Sequence, residues 1–343
     1  MRGIAQWLFI PLVVFSALVF AASGCRPTSV ATPRAAERQD EQKRHADEMP
    51  SLSPVTLSAG EKVKAVATTS IVADVVRQVG GDLIDLKVLL PLGTDPHAFD
   101  PTPQDVAAVA DAHVVFVNGA GLEVFLEPLL ESAGEGVTVV PVSYGVELLQ
   151  FEGAQKQEQD DEHEHGRGQI DPHTWFDPHN VSVWTRNIEH TLGALDPANV
   201  ETYEANAEAY EAELRLLDAW IREQLAQVPE ANRKLVTDHT AFGYFAHRYG
   251  LEQIGAVFPG YSTLAEPSAR ELAALEDAIR ESGIKAVFVG LTVNPSLAQR
   301  VADDTGTQLI LLYTGSLSEP GGPADDYVSF MQHDVSAIVE ALR

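Results

Sequence analysis

The chain has 343 residues, 45% of them hydrophobic, and 50 acidic against 23 basic side chains give a formal net charge of −27. That charge repels phosphate backbones and excludes nucleic acid as a partner. A single cysteine, Cys25, excludes any disulfide within the chain.

The first 24 residues carry Arg2, an apolar run from Trp7 to Ala22, and small residues at Ser23-Gly24 before Cys25. This pattern predicts a secretory signal segment, too short and one-sided for a membrane span. It resembles the lipobox of bacterial lipoproteins, which implies cleavage before Cys25, acylation of its thiol and anchoring to the outer side of a cell membrane. Residues 25–60 are rich in Pro, Ser, Ala and charge with no sustained apolar period, so they are expected to be a disordered tether.

A folded body follows, large enough for two cores. Its N-terminal lobe is assigned to residues 61–199. Val63–Ala67 reads as a strand, Thr68-Thr69-Ser70 as a cap, and Ile71, Val72, Val75, Val76 and Val79 as the buried side of a helix stopped by Gly80-Gly81. Leu83–Leu90 is a second strand running into the loop Pro91–His97. A helix is expected from Pro103, with strands at Val114–Val117 and Val137–Val142.

Residues 200–228 are expected to form a linker helix, with Tyr203, Ala207, Tyr210, Leu214, Leu217, Trp220, Ile221 and Leu225 at helical spacing. It reads either as a stiff rod between lobes or as an ordinary long helix whose aromatic residues enter a core. Residues 229–343 form the C-terminal lobe, which begins as the first did: Lys234 leads to Gly250 as Lys64 leads to Gly80, with Thr69 opposite His239. Strands are expected at Leu251–Phe258, Ala286–Val289 and Gln308–Leu312, and helices at Pro267–Ser282 and Pro295–Thr305. The predicted fold is α/β: two similar lobes, each a mostly parallel sheet flanked by helices, joined by one long linker helix. Ligands of such sheets gather at the carboxyl ends of the strands.

Three histidines stand in loops of this plan: His97 in Asp95-Pro96-His97, His173 in Asp171-Pro172-His173 and His239 after Asp238. No two are one helical turn apart, which excludes a zinc-protease helix, and their wide spacing excludes a zinc finger. Residues so placed meet only if both lobes fold. Imidazole nitrogen suits Zn²⁺ better than Mn²⁺, which prefers more oxygen, so zinc is the expected ion and manganese the alternative. Asp171 and Asp238 are expected to accept imidazole N–H groups behind the ligands. The acidic tract Asp160–His165, with His163 and His165, is either a weak metal-gathering loop or merely solvated.

The motifs Pro91–Pro103, Asp171–Pro178, Asp196–Asn199 with Tyr203–Asn206, and His239–Ala246 with Arg248-Tyr249-Gly250 resemble the zinc and manganese substrate-binding lipoproteins of bacterial ABC importers, the TroA-like family. The resemblance spans residues 62 to 343. It implies a monomer that holds a metal ion between two lobes, with His97, His173 and His239 at ligand positions, and delivers it to a membrane permease. Where many relatives have a late aspartate, this chain reads Tyr313-Thr314-Gly315-Ser316. Water and Glu266 are the candidates for a fourth donor. A rival reading from another class is a zinc hydrolase using three histidines and a water, with Glu266 as base. No His-Glu-x-x-His helix or nucleophile elbow supports it, so no enzymatic activity is expected. A surface adhesin is compatible with the anchor, though no residue demands it.

Overall fold

The computed structural model describes residues 49–134, 136–150 and 170–343. The expected signal segment, Cys25 and the His163/His165 loop lie outside them. The described residues contain no helix long and apolar enough to cross a membrane.

In the first half, strands β1 (Val63–Ala67), β2 (Ile84–Val88), β3 (Val114–Val117) and β4 (Val139–Pro141) form a parallel sheet in the order β2-β1-β3-β4. In the second, β5 (Lys234–Thr237), β6 (Glu252–Ala256), β7 (Ala286–Gly290) and β8 (Gln308–Leu312) repeat that order as β6-β5-β7-β8. The duplication expected from the two matching openings therefore extends through the whole topology. The lobe-opening strands, β1 and β5, are interior strands in both sheets, and loops leaving their carboxyl ends face the gap between the sheets.

The interior strands β1, β3, β5 and β7 are buried on both faces, which explains why they are apolar runs rather than alternations, while the edge strands β2, β6 and β8 are partly exposed. Val66, Val115 and Val117 face an outer cluster with helices α2 (Pro103–Ala110) and α3 (Leu126–Ala133), while Ala65, Ala67, Val114 and Phe116 face inward. The second sheet sorts the same way. Val236, Val287 and Val289 face α7 (Ala269–Ser282) and α8 (Ser296–Thr305), and Leu235, Ala286 and Phe288 face inward.

The two inner faces share one continuous core. It is built around α1 (Ser70–Gly80), α4 (Pro178–Leu195), α5 (Val200–Leu225), α6 (Gly243–Tyr249) and α9 (Tyr327–Leu342). Helix α5 has 26 residues, a length of about 39 Å. Its buried stripe, Tyr203 through Leu225, packs against α4, α1 and α9. The core contacts expected of its aromatic residues are observed at Tyr203 and Tyr210.

Several differences from the sequence reading have local causes. Helices α4 and α9 had no counterpart in it, although their signals are ordinary. Asp177 caps α4 just before Pro178, and Val181, Trp184, Ile188 and Leu192 follow at helical spacing. Asp326 and Ser329 make a capping box for α9. The tether expected to reach residue 60 also meets the body earlier. Met49, Leu52, Val55 and Leu57 pack on the core, and Val55 N donates to Leu195 O at 2.9 Å.

A candidate metal centre between the lobes

His97 lies on the loop that leaves β2, His173 opens the turn before α4, and His239 follows β5 by two residues. Separated by 76 and 66 positions, their Nε2 atoms nevertheless converge: His97 to His173 is 3.2 Å and His239 to His173 is 3.0 Å. All three are buried, and among the described residues they are the one His/Cys/Asp/Glu cluster able to hold a metal ion. Three lone pairs aimed at one point fit a cation. In a tetrahedral zinc site the nitrogen–nitrogen edge is about 3.3 Å.

Two carboxylates fix the tautomers that make this possible. Asp171 Oδ1 accepts from His173 Nδ1 at 2.8 Å and from His173 N at 2.9 Å. Asp238 Oδ1 accepts from His239 Nδ1 at 2.8 Å, and its Oδ2 accepts from Gly290 N at 2.7 Å. With Nδ1 donating, each Nε2 presents its lone pair to the centre. Both aspartates are fully buried. They supply two negative charges behind a site whose own donors are neutral, enough to balance a dication.

Burial sets the protonation. It pushes His97 down to about 4, helped by the neighbouring His239, and holds His173 well below the usual imidazole range. It pushes Asp171 up to about 8, against the His173 backbone hydrogen bond that favours the carboxylate. His97 and His173 therefore stand ready as neutral ligands at neutral pH.

Backbone hydrogen bonds position the loops. Asn118, at the end of β3, donates through Nδ2 to Pro172 O at 2.9 Å, and its own N donates to buried Glu123 at 2.6 Å. Glu123 also accepts from Thr68 Oγ1 and Gly119 N, so this buried carboxyl ties the ends of β1 and β3 together. From the other lobe, Tyr244 OH donates to Asp171 O at 3.0 Å. Gly243 beside it has no Cβ because Asp171 Oδ2 occupies that space. His97 N donates to Asp95 Oδ1, while Thr263 Oγ1 from the second lobe donates to Asp95 Oδ2 at 2.5 Å.

The cavity at the histidines is lined by Asp95, Pro96, Trp175, Thr292, Thr314 and Gly315 as well. Its volume is about 10 Å³, on a measure by which one water needs roughly 10–15 Å³. Gly315 does stand at the site, as the resemblance implies, but without a side-chain donor. Glu266 does not: it is solvent-exposed and outside the lining, which removes it as fourth ligand and as hydrolytic base. Sequence reasoning found the three histidines and their aspartate partners. It missed Asn118, Glu123, Tyr244 and Thr263, which touch the site only through tertiary contacts.

Known proteins resemble this chain in sequence and fold. Residues 65–341 match the family model for the zinc-uptake complex component A, periplasmic (ZnuA). The manganese-binding lipoprotein MntA of Halalkalibacterium halodurans is 34% identical over 288 residues, covering 84% of this chain and 91% of MntA. The iron ABC transporter substrate-binding lipoprotein MtsA of Streptococcus pyogenes is 32% identical over 289 residues, covering 82% and 89%. The periplasmic zinc-binding protein TroA of Treponema pallidum superposes with a TM-score of 0.73 at 27% identity, covering 82% of this chain and 99% of TroA. The chain belongs to the ZnuA family of metal-binding substrate-binding proteins of ABC transporters, and these are carriers rather than enzymes.

Proposed function

We propose that this protein captures Zn²⁺ outside the cell membrane, with His97, His173 and His239 as its ligands, and delivers it to the permease of an ABC importer. The convergence of three Nε2 atoms, with no carboxylate oxygen among them, carries the reading. Nitrogen donors at low coordination number favour zinc, whereas Mn²⁺ prefers an oxygen-rich octahedron. The ion sits between a lobe of residues 61–199 and a lobe of residues 229–343, with residues 200–228 as the connecting helix. A lipid on Cys25 anchors a monomer.

Manganese is the second reading within the same class, favoured by the names of MntA and similar relatives. Competition titration of the metal-free mature protein with Zn²⁺ and Mn²⁺ decides between them. One Zn²⁺ per chain, bound more tightly than Mn²⁺ and lost in His97→Ala, is the expected result. Tighter binding of Mn²⁺ overturns the ion assignment.

A further inference from the structure

The segment Thr314–Leu317 belongs to the second lobe, yet its hydrogen bonds go to the first. Trp175 Nε1 donates to Thr314 O at 3.0 Å, Gly93 N donates to Ser316 Oγ at 2.8 Å, and Leu317 N donates to Ser70 Oγ at 2.9 Å. Gly315 lies in the middle of this fastened strap and forms one wall of the metal cavity. Its φ lies outside the left-handed region, so backbone conformation does not call for glycine. Close approach does. A Cβ at position 315 would stand 2.6 Å from Pro96 Cδ and 3.0 Å from Pro96 Cγ.

Pro96 has little freedom to give way. Its ring has no rotamers to move into, and its neighbours on both sides are held by the bond from His97 N to Asp95 Oδ1. A side chain at 315 must therefore lift the strap. Glycine instead lets the strap close against the Pro96 ring and leaves about 10 Å³ at the histidines, too little for several waters around an ion.

We propose that Gly315 is a specificity-determining residue: by sealing the strap onto Pro96 it caps the coordination number near four and so selects against ions that need six ligands. The proposal rests on the zinc reading. Three imidazole nitrogens and one water complete a tetrahedral Zn²⁺ site. An octahedral Mn²⁺ needs three further oxygens, and a strap held this close to Pro96 leaves them little space. The position selects by the volume it withholds, without contributing a donor.

The test compares wild type, Gly315→Ala and Ser70→Ala by Zn²⁺/Mn²⁺ competition and by the visible spectrum of the Co²⁺-loaded proteins. Wild type should show the intense band of four-coordinate Co²⁺. Gly315→Ala, which adds a clash but no donor, should weaken that band as further water enters. It should also lower the Zn²⁺:Mn²⁺ affinity ratio by about tenfold or more, a shift readily measured.

Ser70→Ala removes a fastening of the strap without adding bulk and should lower the ratio in the same direction, by about threefold or more. If Gly315→Ala does not fold, Ser70→Ala decides. An unchanged ratio together with a four-coordinate Co²⁺ spectrum in the folded variants overturns the proposal. A wild type that prefers Mn²⁺ overturns the zinc reading instead. In that case the strap still stands if the Co²⁺ coordination number rises in the variants, and falls if it does not.

Discussion

At the residue scale, the site works by pairing two of its three imidazoles with a carboxylate that fixes the proton on Nδ1. Asp171 and Asp238 orient His173 and His239, and their charges stand in for the acidic ligand that Gly315 cannot be. The cost of burying Asp171 has a thermodynamic consequence. Raised to about 8 in the metal-free protein, it holds a proton at pH 6.5 that an arriving dication expels. The sign follows: metal affinity rises with pH up to about 8, by roughly tenfold per unit, because one proton competes. His97, held at about 4, and His173, held well below its usual range, add their own competition only in stronger acid. Calorimetry at pH 6.5 in buffers of different ionisation enthalpy should find about one proton released per Zn²⁺ bound, and none in Asp171→Asn. No release from wild type would place a bare carboxylate in the empty site.

At the scale of elements, helix α5 matters most. Its apolar spacing was legible because seven residues from Tyr203 to Leu225 recur on one face. What that face touches was not, since the same pattern serves a rod capped by partners at its ends or a helix packed along its length. Helix α9 gives the answer. Its N-terminus is fastened to the first lobe, where Tyr327 N donates to Asp74 Oδ2 at 3.0 Å and Tyr327 OH to Trp175 O at 2.7 Å. The chain crosses to the second lobe through α5, reaches the first again just before Tyr327, and runs back along α9 to the second, where Asn232 Nδ2 donates to Leu342 O at 2.8 Å. Leu217, only 2% exposed, should therefore cost about 2–5 kcal/mol when cut to alanine. Urea unfolding measures this, and a loss within about 0.5 kcal/mol, typical of a surface position, would contradict a core role for the helix.

Across the whole molecule, a single core shared by both sheets limits how the site can open. A hinge that parted the lobes widely would expose α5 and break the bonds that Asp74, Ser70 and Trp175 make with the second lobe. Opening confined to loops disturbs far less buried surface. Small-angle scattering should therefore show nearly the same radius of gyration with and without Zn²⁺, while hydrogen exchange quickens around His173 and His239 on metal removal. A large change in radius on metal removal would require the lobes to swing and the shared core to split.

The sequence by itself determined the repeated lobe plan, the strands and the three histidines. These depend on short-range signals: apolar runs, caps such as Thr69, and aspartates adjoining or two residues before the histidines. Tertiary structure alone decided the rest. It set the 3.0–3.2 Å convergence of Nε2 atoms, the ring of Pro96 against Gly315 and the links from Asn118 to Pro172 and from Tyr244 to Asp171. Sequence could show that residue 315 brings no donor. That its missing Cβ closes the metal cavity depends on a contact between segments more than two hundred residues apart, which periodicity and local propensity do not encode.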